Sequence, residues 1–233
     1  MRQGRLIRRL RSRFSPPSTN YDLHALRKTP YEFLEDHARV LDIGSKGRGG
    51  DYWPGVGRLR VFSLDAVQSQ CVDVLGDAHQ IPFADDSIDA ILCISVLCYL
   101  QDPRRFLAEA RRVLRPGGIL YLSSPWVHRT APDGADLFRF SVDGLKTLAR
   151  DFEEIQAGFN RGPASTAADF LSYFLAVLTC FNNKELYGLL QGLYQWMIFP
   201  LKYLDRWLAR YDCAEMIYSG AFFLGRKPRS EVR

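Results

Sequence analysis

Apolar residues along this chain gather in short, nearly unbroken runs, and several of these end at an acidic residue or a glycine-rich turn. Arg39-Val40-Leu41-Asp42-Ile43 breaks at Gly44-Ser45-Lys46-Gly47. A run of this kind predicts a buried parallel strand, because a strand covered on both faces has no polar side to alternate with. The same pattern predicts strands over 59–64 ending at Asp65, over 71–75 ending at Gly76-Asp77, over 88–95, over 119–123, over 152–158 and over 216–224. Between them the spacing turns helical. Thr29-Pro30, with Glu32 in the first turn, opens a short helix to about His37. Asp102-Pro103 opens a second, apolar at 106, 107, 110, 113 and 114 and stopped by Arg115-Pro116-Gly117-Gly118. Ser141 opens a third, through Arg150, whereas the glycines and Pro54 of 47–57 argue against a long helix there. This alternation implies a mostly parallel sheet with helices on its faces.

Residues 165–212 do not fit that rhythm. No charge falls in 170–183 or in 186–201, yet both runs are shorter than the ~20 apolar residues that a membrane span needs. Their aromatics, followed by Lys202, Arg206 and Arg210, suit an interfacial hairpin or a lid; a helical cap packed on the sheet is the alternative. At the other end, residues 1–14 interleave arginines with Leu6, Ile7, Leu10 and Phe14, which share one side of a helix. Such a segment suits an anionic membrane surface or an acidic partner, or is a solvated tail. It holds no apolar stretch of secretory-signal length.

Charge sharpens the picture. The chain carries +5, but residues 1–30 hold eight lysines and arginines against Asp22 alone. The basicity is a tail on a slightly acidic body, which argues against nucleic acid as a partner. Five cysteines (71, 93, 98, 180, 213) and four histidines are scattered without ligand spacing, so reduced thiols and no metal site are expected. The chain then divides into a basic tail (1–28), a core (29–164), an apolar helical insert (165–212) and a last strand with a charged tail (213–233).

The glycine break after residue 43 is the first candidate site, since glycines let the backbone approach a ligand closely at the carboxyl end of a strand. It is not the dinucleotide fingerprint, which would need glycine where Lys46 stands. The ordered set is more specific. Val40 to Gly44, then Asp65, then Gly76-Asp77-Ala78-His79-Gln80-Ile81-Pro82-Phe83, then 85–92, then Leu107 to Gly118 resembles a class I S-adenosylmethionine-dependent methyltransferase, of the small-molecule subgroup called type 11.

The resemblance implies a Rossmann-like, doubly wound α/β fold: a seven-stranded, mostly parallel sheet with the last strand antiparallel, helices on both faces and the insert before the last strand. It implies S-adenosylmethionine as cofactor, held by Asp42, Gly44, Ser45, Lys46, Gly47, Asp65, Ala66, Asp77, Ala78 and Ser95. Asp65 would accept from the ribose hydroxyls and Asp77 from the adenine amine. Acceptor recognition falls to the loop after the 119–123 strand, where Asp136-Leu137-Phe138-Arg139-Phe140-Ser141 resembles an entrance element of the subgroup. His128 is the candidate base, with Asp136, Arg139 and Tyr99 beside the acceptor. The chain departs from the pattern at Lys46 and Arg48, where relatives place glycines, and at Cys98-Tyr99, where relatives place an acid and a histidine. The reading is methyl transfer to a small or lipid-linked acceptor such as an envelope sugar, in the cytoplasm and peripheral to the inner face of the membrane, with contact through 1–14 and 170–201. A non-catalytic partner protein and an RNA methyltransferase are the alternatives.

Overall fold

The computed structural model describes residues 16–21, 23, 29–44, 56–69, 72–130 and 135–229, so the basic segment 1–14 and the glycine-loop residues Ser45, Lys46 and Gly47 lie outside it. Contacts divide the chain into two units, His24–Asn160 with Gly220–Arg233, and Met1–Leu23 with Arg161–Ser219.

The first unit is built on a seven-stranded sheet. Its strands are β1 (Arg39–Ile43), β2 (Arg60–Asp65), β3 (Val74–Leu75), β4 (Ile88–Ile94), β5 (Leu114–Pro125), β6 (Glu153–Arg161) and β7 (Gly220–Arg226), in the order β3-β2-β1-β4-β5-β7-β6. Pairing is parallel from β3 through β5, and β7 runs antiparallel to β5. This is the fold that the resemblance implied. Alternate positions Val40, Ala90, Leu92, Ile119, Tyr121, Phe222 and Leu224 form one core face, covered by Tyr31 and Leu34. The intervening Leu41, Ile43, Ile91, Cys93 and Leu122 are equally buried, which explains why these strands read as apolar runs.

Helix α1 (Pro103–Val113) begins where Asp102 accepts from the backbone N–H groups of Arg104 and Arg105 at 3.1 and 3.0 Å. It buries Phe106, Leu107, Ala110 and Val113. Helix α2 (Val142–Leu148) is capped by the Ser141 hydroxyl, which accepts from the Gly144 N–H.

Four expectations need correction. The first helix is a 3-10 turn at Pro30–Phe33, because the chain reverses at Asp36-His37, with His37 at φ +65°, to enter β1. The strand expected over 71–75 pairs only at Val74–Leu75. Strand β5 starts at Leu114, five residues early: Arg115 to Gly118 bulge out opposite Asp89, with Gly117 at φ +80° and its N–H bonded to the Lys227 carbonyl. The last strand starts at Gly220, opposite Pro125, and 212–216 form a 3-10 turn instead.

The second unit is helical. Helix α3 (Pro163–Thr179) and helix α4 (Lys184–Ile198) form a hairpin, followed by a 3-10 stretch (Phe199–Leu204) and a single turn, α5 (Asp205–Leu208). The α3 N-terminus is capped from far along the chain. The fully buried Asp205 carboxylate accepts from the N–H groups of Ala164 and Ser165 at 2.8 and 2.9 Å. A Cβ on Gly162 would lie 2.6 Å from the same carboxylate. Asn183 caps α4. The described N-terminal residues are stitched to this hairpin: Gln195 donates to the Pro17 carbonyl, Lys202 to that of Ser18, and the Tyr21 N–H to the Ser165 hydroxyl. Among the described residues, no helix is long and apolar enough to cross a membrane.

Candidate active site

Strand order reverses between β1 and β4, and the crevice there opens at the carboxyl ends of the strands. Gly44 stands at its floor. Its φ is +69°, its N–H donates to the Leu64 carbonyl, and a Cβ would lie 2.7 Å from a Val96 methyl. Only glycine fits there without displacing the chain.

The acids sit around this turn at successive strand ends. Asp42 is buried in β1 on the face shared with Val40, and its charge, after burial itself, helps push the Tyr31 phenol up. Asp65 ends β2, buried, with one oxygen accepting from the Val67 N–H; Ala66 beside it is exposed. The Gly76 N–H donates to the Asp65 carbonyl, drawing Asp77 and buried Ala78 alongside. The backbone N–H of His79 holds the Asp77 carboxyl below the usual range, and the His79 ring adds to this. Because His79 Nε2 accepts from the Asp102 N–H at 3.2 Å, its Nδ1 carries the hydrogen given to Asp77. Ser95 follows β4 at φ +59°, its N–H on the Ser123 carbonyl.

The four catalytic candidates also converge. The Cys98 carbonyl accepts from the Leu137 N–H at 2.7 Å, tying the entrance element to the turn that carries Tyr99. Arg139 pairs with Asp136 and also donates to the Arg129 carbonyl at 3.3 Å. His128 Nδ1 lies 3.1 Å from that same carbonyl. A carbonyl only accepts, so Nδ1 is the protonated nitrogen, and in the neutral ring the lone pair is on Nε2. Tyr99 is exposed. The Cys98 thiol is buried, its pKa raised by that burial and by Asp136, and it points at the Ser95 carbonyl.

Sequence reasoning missed four contributors. Val96 walls the glycine turn and Tyr31 shares Asp42's surroundings. Glu109 and Arg112 clamp the segment after Asp77: Arg112 donates to Glu109, to Asp85 and to the Ile81 and Phe83 carbonyls, while Glu109 accepts from the Ile81 N–H. Their three-residue helical spacing was a legible ion-pair signal. A cavity of about 950 Å³ is lined by Leu107, Arg111 and Arg112, by Phe138 and Phe140 of the entrance element, and by Thr147 and Leu148 of α2, but by none of the cofactor-binding or catalytic candidates. No metal-holding group of side chains occurs among the described residues.

A Rossmann-like α/β domain with acids at successive strand ends around a glycine turn defines a nucleoside-type binding protein. Comparison with known proteins narrows the class. Residues 41–122 match the family described as Methyltransferase domain. The chain is 49% identical over 55 residues to the human thiol S-methyltransferase TMT1B, covering 24% of this chain and 21% of that protein. It is 40% identical over 102 residues to the methyltransferase GfsG of Streptomyces halstedii, covering 43% and 35%. The match thus spans only about a fifth to a third of these relatives' length. Among solved structures, a putative sarcosine dimethylglycine methyltransferase from Galdieria sulphuraria superposes with a TM-score of 0.55 at 19% identity, over 85% of this chain and 81% of that one. Over residues 41–122, about a third of the chain, the sequence thus matches a methyltransferase domain, and the solved neighbour shares its fold.

Proposed function

We propose that this protein transfers a methyl group from S-adenosylmethionine to a small or lipid-linked acceptor, such as an envelope sugar. The carrying observation is that Asp42, Asp65 and Asp77 surround the Gly44 turn at the ends of β1, β2 and β3. These groups suit the cofactor's chemistry. The sharp Gly44 turn at a strand end sets the backbone for an amino-acid tail, and carboxylates at two strand ends suit a ribose diol and an exocyclic amine. Asp42, Gly44, Asp65, Asp77, Ala78 and Ser95 would hold it, with Ser45, Lys46, Gly47 and Ala66 completing the shell. Bound there, it supplies an already activated methyl group.

The chain's own task is then alignment of the acceptor, with a base for any acceptor of high pKa. His128 is that base, taking the proton at Nε2 while the Arg129 carbonyl holds Nδ1. Asp136 and Arg139 orient the acceptor, and exposed Tyr99 offers it a flat apolar surface. Reading the tail and insert together, the protein works at the inner face of a membrane through 1–14 and 170–201.

Calorimetric titration with S-adenosylhomocysteine is the test. Binding that falls by about a hundredfold in Asp65→Ala supports the pocket, since a lost carboxylate strands two hydroxyls. No binding to folded native protein overturns it. A second reading, cofactor binding without turnover, is favoured by Cys98, whose buried thiol stands where relatives carry an acid and cannot act as a base at neutral pH. Any acceptor turnover excludes that reading.

A further inference from the structure

Helix α3 is inside out. It buries Ala164, Ala168, Ser172 and Ala176, a four-residue repeat of small side chains, and it leaves Phe170, Phe174, Val177 and Leu178 in the open. Phe174 and Val177 are 61% and 63% exposed. Helix α4 buries no residue fully and exposes Leu189, Leu193, Trp196 and Met197. In water this arrangement forgoes the main driving force for packing a helix. In lipid it is the expected one. Helices there associate through small residues and close backbone approach, while large apolar side chains face the acyl chains.

The hinge of the hairpin points the same way. Phe181 is 87% exposed at φ +47°, an aromatic side chain in an unfavourable backbone region with no packing in return. The next residues, Asn182, Asn183, Lys184 and Glu185, are polar, so the tip does not enter hydrocarbon end-on. At 17 and 15 residues the helices are about 25 and 22 Å long, short of a ~30 Å hydrocarbon core. These lengths and the polar tip fit a hairpin lying along an interface.

Charge selects the kind of surface. The N-terminal strap belongs to this unit, because Pro17 and Ser18 are held by Gln195 of α4 and by Lys202. Immediately before it the sequence places six arginines (2, 5, 8, 9, 11, 13) and no acid. The apolar face and the cationic arm are therefore tethered within one unit. A second copy of the chain would bring a second arm of the same charge to the face, whereas anionic headgroups neutralise it.

We infer that the α3–α4 hairpin lies in the surface of an anionic lipid bilayer, its outward Phe and Val side chains among the upper acyl chains and the arginine arm on the headgroups. This deepens the proposed membrane contact by assigning its face and its lipid, and it does not depend on the methyl-transfer chemistry.

Flotation of the full chain with vesicles tests it, comparing phosphatidylcholine alone with phosphatidylcholine plus phosphatidylglycerol. Native protein should float with the mixed vesicles, less so as salt is raised. The double variants Phe174→Glu/Val177→Glu on α3 and Leu189→Glu/Met197→Glu on α4 should each lower the bound fraction about tenfold with unchanged melting. Arg8→Ala/Arg9→Ala/Arg11→Ala should bind more weakly and lose most of the salt dependence. Native protein that floats with neither vesicle overturns the membrane contact altogether. Face variants that float as well as native protein overturn this inference alone and leave contact through 1–14 standing. A native dimer that dissociates in the face variants without any lipid assigns the face to a second copy and overturns the inference as well.

Discussion

Helix α1 buries Phe106, Leu107 and Val113 and turns Arg104 and Arg105 outward, whereas helix α3 buries alanines and serines and turns phenylalanines outward. Both sequences are helical, and both have an apolar stripe. The difference lies in what each stripe faces. In the sheet unit the stripe of α1 covers strands, so the helix is held by removal of large side chains from water. In the helical unit the seam is made of small residues, and cohesion comes from backbone proximity and from a buried carboxylate at the helix start. Hydrophobic pattern thus reports which residues could be buried, and what the helix packs against decides which ones are.

The most damaging change should fall in the sheet unit. Phe106 is fully buried, and Phe106→Ala should cost about 3–5 kcal/mol through lost transfer energy and the cavity left behind. Urea unfolding followed by far-ultraviolet dichroism measures it. A cost below about 1 kcal/mol would mean that α1 does not depend on its stripe. The corresponding weak point of the helical unit is polar. Asp205→Ala should cost about 2–3 kcal/mol, because two buried N–H groups at the start of α3 lose a charged acceptor. Amide hydrogen exchange should show the loss across 164–179. An equal loss over the β4 amides would break the comparison, since it would make the two units one cooperative body.

Smaller, and dependent on pH, is the clamp on the segment after Asp77. Arg112→Ala strands the Ile81 and Phe83 carbonyls and should cost about 1–3 kcal/mol. Hydrogen bonding from Arg112, ahead of the Ile81 N–H, holds the Glu109 carboxyl below its usual range. A carboxylate with a lowered folded pKa stabilises above its ordinary value of ~4.3, and that contribution fades as pH falls through the folded value. Native protein should therefore lose stability below about pH 4–5, and Arg112→Ala should lose less over the same interval. Urea midpoints at neutral and acid pH give the difference. Parallel curves would mean that the pair is solvated and adds nothing.

How much of this was legible in the chain follows the same divide. Strand β1 was read to the residue and β2 and β4 within one, because a strand buried on both faces shows as a run with a sharp polar end. The N-caps at Asp102 and Ser141 were legible because a short oxygen side chain before a helix has one job. The early start of β5 was not, since Arg115-Pro116-Gly117-Gly118 is a stop signal locally and becomes a bulge only through pairing with Lys227, more than a hundred residues on. In the site, the acids at strand ends could be read one at a time. The linkage of His128 to Arg139 through the Arg129 carbonyl could not, because it joins a loop to an element ten residues later by a contact that has no periodicity. Asp205 lay inside the region recognised as anomalous, but nothing local marks an aspartate as the cap of a helix forty residues before it.

The smallest expected effect discriminates most. Phe174 presents its ring to the exterior in the folded chain and does so again when unfolded, so Phe174→Ala removes little that folding had gained. Alanine also has the higher helix propensity, which shifts the balance by up to about 0.5 kcal/mol toward the folded state. Unchanged or slightly raised stability in lipid-free buffer is the expected outcome, measured by the same urea titration as Phe106→Ala. A cost near that of Phe106→Ala would require the face to be covered in water, and its concentration dependence would tell whether another copy covers it. Neutrality in buffer together with a loss of stability in the presence of anionic vesicles would place the missing burial of α3 in the lipid.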